Sequence, residues 1–134
     1  MYVFTFIESA RDEHEHLLEI EESLIQELGI PYRVVNIAVG DLGASAAKKY
    51  DIEGWFPGQE RYRELTSTSN TTDYQARRLG IRTRREGKVE HVATLNGTAV
   101  TARTMIASSH SGLGAVSFRA ISRSAEMRAA FSAC

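Results

Sequence analysis

Cysteine is almost absent. The one thiol, Cys134, is the last of 134 residues, which excludes an internal disulfide framework and a cysteine-rich zinc site. Net charge is nearly absent too, with 16 Lys and Arg against 17 Asp and Glu. There is thus no global attraction to nucleic acid or to an anionic membrane, and any polyanion site must come from local clustering. No apolar run approaches the roughly 20 residues that span a bilayer, and the N-terminus lacks a basic stretch followed by an apolar one. These absences lead us to expect a soluble, cytoplasmic protein with no membrane partner. What is present looks ordinary: 43% hydrophobic and 25% charged residues lie near globular averages and away from the signature of disorder. The length suits one folded unit.

Periodicity predicts the elements. Tyr2 to Ile7 has a strand's composition. Ala10 to Gly29 places Leu17, Leu18, Ile20, Leu24, Ile25 and Leu28 at helical spacing, and Gly29 followed by Pro31 supplies stop signals. Tyr32 to Val39 reads as a largely buried strand, and Gly40 to Tyr50 as a turn running into a short Ala-rich helix. Asp51 to Phe56 is a further strand, and Pro57-Gly58 a turn. A strand follows from Tyr62 to about Ser67, then a turn through Ser69 and Asn70, then a helix from about Thr72 to Leu79 capped by Thr71 or Thr72. Strict alternation puts Arg63, Leu65 and Ser67 on one face and Glu64, Thr66 and Thr68 on the other. Val89 to Leu95 reads as a last strand, and Asn96 to Ser109 as a turn entering a helix. From about Ser108 the composition shifts to Ser, Ala and Gly, with a weak helix near Ser124 to Phe131. The pattern predicts an α+β fold, an antiparallel sheet flanked by helices.

Several clusters invite a chemical reading. Asp12, Glu13, His14, Glu15 and His16 have the right donors for a metal, but residues two apart on a helix point to different sides, so a solvated helix face is the expected reading. GDLG, Gly40 to Gly43, lacks the Lys-Ser/Thr of a phosphate loop and reads as a plain turn. Cys134 reads as a free terminal thiol. The arginines from Arg77 to Arg85 are either a solvated basic face or a polyanion site. They follow RELTSTSN, Arg63 to Asn70, where a carboxylate and several hydroxyls lie together. Carboxylate, hydroxyl and guanidinium are what a metal-bound nucleoside triphosphate requires, the carboxylate holding Mg2+ and arginine neutralising phosphate. LNGTAVTAR, Leu95 to Arg103, adds a second such element. Gly97 permits a tight turn there, and Arg103 should lie about one and a half turns into the following helix.

Taken together, PYRVVN, GDLG, AAKKYD, RELTSTSN, QARR and TLNGT, in this order and spacing, closely resemble the last part of the seryl-tRNA synthetase catalytic domain. The resemblance runs from about Tyr2 to Ala107 and implies a partial class II aminoacyl-tRNA synthetase core, with residues 108–134 a divergent, poorly ordered tail. It further implies ATP and Mg2+ as substrate and cofactor, serine and tRNA(Ser) as partners, and a homodimer in the complete enzyme. Residue by residue, Glu64 matches the family's carboxylate for ATP and Mg2+, with Leu65 and Thr66 in the same ATP-binding stretch and Ser67 as the hydroxyl that closes it and also faces the metal. Asn96 and Thr98 match the polar residues beside serine. Arg103 matches the arginine of the third class motif, which contacts the γ-phosphate. Glu64 and Arg103 are therefore the expected catalytic pair, and Arg77 and Arg78 the expected supports of the sheet.

The family's N-terminal arm, first motif and second-motif arginine find no match from Met1 onward. We therefore expect serine–tRNA ligase ancestry in a partial core inactive alone. The competing readings are a noncatalytic nucleotide-binding or synthetase-interacting module, pairing with a complete subunit, and a remnant that folds poorly because its sheet lacks early strands.

Overall fold

A computed structural model of the chain describes residues 1–110. Its centre is a five-stranded antiparallel sheet in the order β1-β7-β4-β3-β2, built from β1 (Tyr2–Thr5), β2 (Tyr32–Asn36), β3 (Lys48–Phe56), β4 (Arg61–Asn70) and β7 (Ala93–Gly97). The strands β5 (Arg82–Arg85) and β6 (Lys88–His91) form a separate hairpin. The expected α+β class is therefore present. The weak helix expected near Ser124 to Phe131 lies outside the described residues.

The helix α1 (Ala10–Glu27) lies across β4, β7, β1 and β3. It ends as its sequence dictates. Gly29 adopts φ 62°, a conformation glycine takes without penalty, and its N–H and that of Ile30 donate to the carbonyls of Gln26 and Ile25 at 2.9 and 3.3 Å, the paired bonds of a Schellman motif. Its buried stripe is Ala10, His14, Leu17, Leu18, Glu21, Leu24 and Ile25. Leu18, Ile25 and Leu28 join Ile30, Ile52, Leu65 and Ala107 in one apolar cluster, while Ala10 and Leu17 meet Ala93 and Leu95 in another. Each large aliphatic side chain buried there contributes about 1.5–3 kcal/mol.

The helix α2 (Tyr74–Leu79) packs on β7, and α3 (Ala102–His110) on β3 and β4. Because Ala107 shares the apolar cluster of α1, α1 and α3 cover the same face of the sheet. α3 also runs past the boundary expected at Ala107.

Four expectations are corrected. The Ala-rich stretch before Tyr50 is not helical; Lys48, Lys49 and Tyr50 already pair with Asn70, Ser69 and Thr68. Alanine's helix preference is worth only tenths of a kcal/mol per residue and cannot offset helix nucleation over so few residues. The ladder wins, and it carries β4 through the turn expected at Ser69 and Asn70. The strand expected from Val89 to Leu95 breaks between His91 and Ala93, because Glu86 and Gly87, at φ 50° and 81°, close a two-residue hairpin between Arg85 and Lys88. Finally, α3 starts at Ala102, so Arg103 is its second residue rather than more than a turn inside it.

Candidate active site

β4 is the wall of the site, and a bulge decides which side chains face the same way. Across β3 and β4, Asp51 pairs with Ser67 and Ile52 with Thr66, but Glu53 pairs with Glu64, so Leu65 is the extra residue. Directly paired residues share a face, and so do residues two apart along a strand. Glu64 therefore shares the face of Glu53, Asp51 and Ser67. Simple alternation had placed Glu64 and Ser67 on opposite faces; the bulge brings them together. It also turns Leu65 and Thr66 both inward, each 1% exposed. Their side chains rest on the helix side, leaving only their backbone to face a ligand.

The same face continues across β7. Ser69 pairs with Asn96, and Asn96 with Tyr2, whose ring is 80% exposed. The side chain of Thr98 is exposed, and its N–H donates to the Ser67 carbonyl at 3.0 Å. Glu64, Leu65, Thr101 and Arg103 line one cleft of about 300 Å³; Tyr2, Asn96 and Thr98 line a second of about 490 Å³. Ser67 lines neither of these two clefts; its link to the second is the bond from its carbonyl to the Thr98 N–H.

Arg103 is delivered by a cap. The Thr101 hydroxyl accepts the Thr104 N–H at 3.3 Å, and the Thr104 hydroxyl accepts the Thr101 N–H at 3.2 Å, the reciprocal arrangement of a capping box with threonine at the third helical position. The Thr101 hydroxyl also donates to the Leu65 carbonyl at 2.8 Å, fastening the start of α3 to the bulge. Arg103 then reaches the Glu64 carbonyl with Nη1 at 3.3 Å. A cation in the first turn of a helix opposes the macrodipole. That local conflict marks a residue placed for another purpose.

The other arginines do not gather. Arg77 pairs with Asp73, at the N-cap of α2, at 2.6 Å, Arg78 lies over the Tyr74 ring, and Arg85 pairs with Glu8 and lies over Phe6. Arg77 and Arg78 are thus held by their own helix and its cap rather than set against the sheet.

Two buried groups escaped the sequence reading. His14, expected on a solvated face, is fully buried and stacks on Tyr50 at 5.2 Å; burial holds its pKa below the ordinary value. Its neighbour Glu15 meets Lys48 at 2.7 Å and the Tyr50 hydroxyl at 3.0 Å. Glu21 is also fully buried, and burial pushes its pKa up to about 7. The Thr66 hydroxyl and the Thr98 N–H face its carboxyl and pull back part of that rise, although neither closes a full hydrogen bond. The signal was present: positions 14 and 21 continue the stripe begun by Ala10 and Leu17, seven residues apart.

Comparison with known proteins matches residues 1–111 to the family described as the tRNA synthetase class II core domain (G, H, P, S and T). The chain belongs to the class II tRNA synthetase core family. It is 59% identical over 109 residues to a serine–tRNA ligase of Rubrobacter xylanophilus, which covers 80% of this chain and 26% of that protein. It is 54% identical over 108 residues to the enzyme of Bifidobacterium adolescentis, covering 80% and 25%. Among solved structures, seryl-tRNA synthetase from Pyrococcus horikoshii complexed with ATP superposes with a TM-score of 0.77 at 53% identity, over 79% of this chain and 24% of that one. Cytoplasmic serine–tRNA ligase from Naegleria fowleri in complex with AMP gives 0.72 at 40%, over 79% and 26%. The chain thus spans about a quarter of the length of these relatives.

Proposed function

We propose that this chain forms part of the catalytic core of a serine–tRNA ligase, in which ATP lies against Glu64, Ser67 and Arg103 and serine against Asn96 and Thr98. The observation that carries the reading is the bulge at Leu65, which puts a carboxylate and a hydroxyl on one face with a guanidinium fastened beside them. That similar structures were solved with ATP and with AMP supports a nucleotide there. Glu64 and Ser67 offer the hard oxygen donors that suit Mg2+, which takes one or two protein ligands and completes its shell with phosphate and water. Bound there, Mg2+ would supply charge neutralisation for the phosphates.

The reaction is attack of the serine carboxylate on the α-phosphate, with pyrophosphate leaving. Such a step needs little covalent help from protein; holding the two reactants in line and countering charge carry most of the acceleration. Asn96 and Thr98 hold serine, and Arg103 counters the negative charge of the departing pyrophosphate. The activated serine then passes to tRNA, and the reading includes a dimeric, cytoplasmic complete enzyme.

The test is an amide-resolved NMR titration of the chain with a nonhydrolysable seryl-adenylate analogue. Shifts centred on Glu64, Ser67, Asn96, Thr98 and Arg103 are expected. Arg103→Ala should weaken ATP by about 10- to 100-fold, the loss of one charge-assisted contact. A folded chain indifferent to the analogue would overturn the proposal.

A further inference from the structure

Glu21 stands directly beneath the residues proposed to hold serine. Gly97 lies between Asn96 and Thr98 and faces the opposite way, toward α1; a Cβ built on it would sit 2.5 Å from Glu21 Oε1. Glycine here serves close approach, since it lets a buried carboxyl come up to the strand backbone. The Thr98 N–H bonds the Ser67 carbonyl at 3.0 Å and also faces this carboxyl, without closing a hydrogen bond to it. Thr66 on β4 directs its hydroxyl at the same group. The charged groups that act on Glu21 are the Met1 amine, just before β1, and, from the open face of β3, Asp51. Met1 in turn donates to the Gly97 carbonyl at 2.6 Å. A fully buried acid, aimed at the backbone of a site and unused by the chemistry above, is costly to retain without a role.

We infer that Glu21 is a positioning residue: acting from the helix side through the Gly97–Thr98 backbone, it sets the placement of Asn96 and Thr98 on the opposite face. The inference rests on the proposed serine site. An ionised Glu21 draws the Thr98 N–H toward the helix and away from Ser67; a neutral one leaves it with Ser67. Asn96 and Thr98, one residue to either side of Gly97, move with that backbone.

The first measurement uses the whole chain without ligand, recording amide shifts of Asn96, Gly97 and Thr98 between about pH 5.5 and 8.5. In the wild type the three should titrate together with a midpoint near that of Glu21, about 7. In Glu21→Gln, which keeps the shape and removes the charge, they should be flat. The second measurement compares ATP with the seryl-adenylate analogue. Glu21→Gln should leave ATP affinity unchanged and weaken the analogue by about tenfold, the worth of one net hydrogen bond.

Amides that do not titrate in the wild type, or that titrate equally in Glu21→Gln, overturn the positioning role whatever the ligands do. An equal loss for ATP and analogue also overturns it, because that is the mark of general loosening. A wild type that binds neither ligand overturns the site reading instead, while the ligand-free titration still decides whether Glu21 holds this strand.

Discussion

Gly54→Ala tests how tightly Leu65, the bulged residue, is packed against β3 and Ile30. Gly54 lies mid-strand in β3, between Tyr32 and Arg63, with an ordinary φ. Alanine therefore meets no backbone penalty and gains about 0.5–1 kcal/mol of strand preference over glycine. Sterics oppose it. The new Cβ would lie 2.5 Å from Leu65 Cδ1 and 3.1 Å from Ile30 Cγ2, and those side chains are 1% and 4% exposed, with nowhere to retreat. Overpacking of this kind costs about 1–3 kcal/mol; both contacts fall below ordinary van der Waals distance, so the upper half of that range applies and the net loss should be about 1–2 kcal/mol. For a chain of this size that lowers Tm by about 4–8 °C. The assay is urea unfolding followed by circular dichroism, expecting a lower midpoint at unchanged slope. Leu65→Val opens space for the added methyl, so a double-mutant cycle should show a favourable coupling of about 1 kcal/mol. Stability within about 0.3 kcal/mol of wild type, or strict additivity in the cycle, would refute the reasoning.

Two further outcomes follow from the same geometry. Glu21 is protonated more readily folded than unfolded, so its contribution to stability falls as pH rises from about 4.5 to about 7, by at most on the order of 3 kcal/mol. His14 runs the other way: with its folded pKa depressed below 6.5, its penalty is relieved as pH rises toward that value. Urea midpoints across pH 4 to 8 should therefore lose their decline in Glu21→Gln and retain the His14 rise; an unchanged profile would discard the buried acid. Thr101→Val removes both the cap of α3 and the bond to the Leu65 carbonyl. It should cost about 1–2 kcal/mol and weaken ATP through Arg103, whereas loss of stability with full ATP affinity would mean that Arg103 needs no such fastening.

Local chemistry made much of this legible. The α1 stop, the apolar stripe and the strand character of β2, β3 and β4 are written in nearest-neighbour terms: Gly29 before Pro31, repeats of 3.6 and of 2. The Ala-rich segment was misread because its partner, the end of β4, is some twenty residues away, and propensity carries no information about that. The Glu86-Gly87 turn went unread, although a glycine between two charged strands is a hairpin signal. His14 and Glu21 were hidden by their polarity, since a stripe search that counts only apolar residues skips them. Site residue types came from family resemblance, whereas their shared face depends on the bulge. A bulge arises from two strands with unequal residue counts, so neither strand alone reveals it.

That dependence also explains why RELTSTSN carries so many hydroxyls. The inward set consists of Thr66, Thr68 and Asn70, all buried. Thr68 donates to the Asn96 carbonyl at 3.0 Å, Asn70 to the Ala10 carbonyl at 3.0 Å, and Thr66 faces Glu21. Thr68 and Asn70 satisfy backbone carbonyls beneath the site, where an unpaired polar atom would cost about 1–3 kcal/mol, while Thr66 offers Glu21 a dipole without closing a hydrogen bond. The outward set, Ser67 and Ser69, is only half-buried and free of that duty. An apolar inward set would be easier to bury, but it would leave the Asn96 carbonyl with one fewer donor and Glu21 with one fewer dipole. The polar lining on the covered face thus ties β4 to β7 behind the proposed site on the open one. If serine lies against Asn96 and Thr98 as proposed, Thr68→Val should weaken the seryl-adenylate analogue in the NMR titration while leaving ATP affinity unchanged; an equal loss for both would refute this.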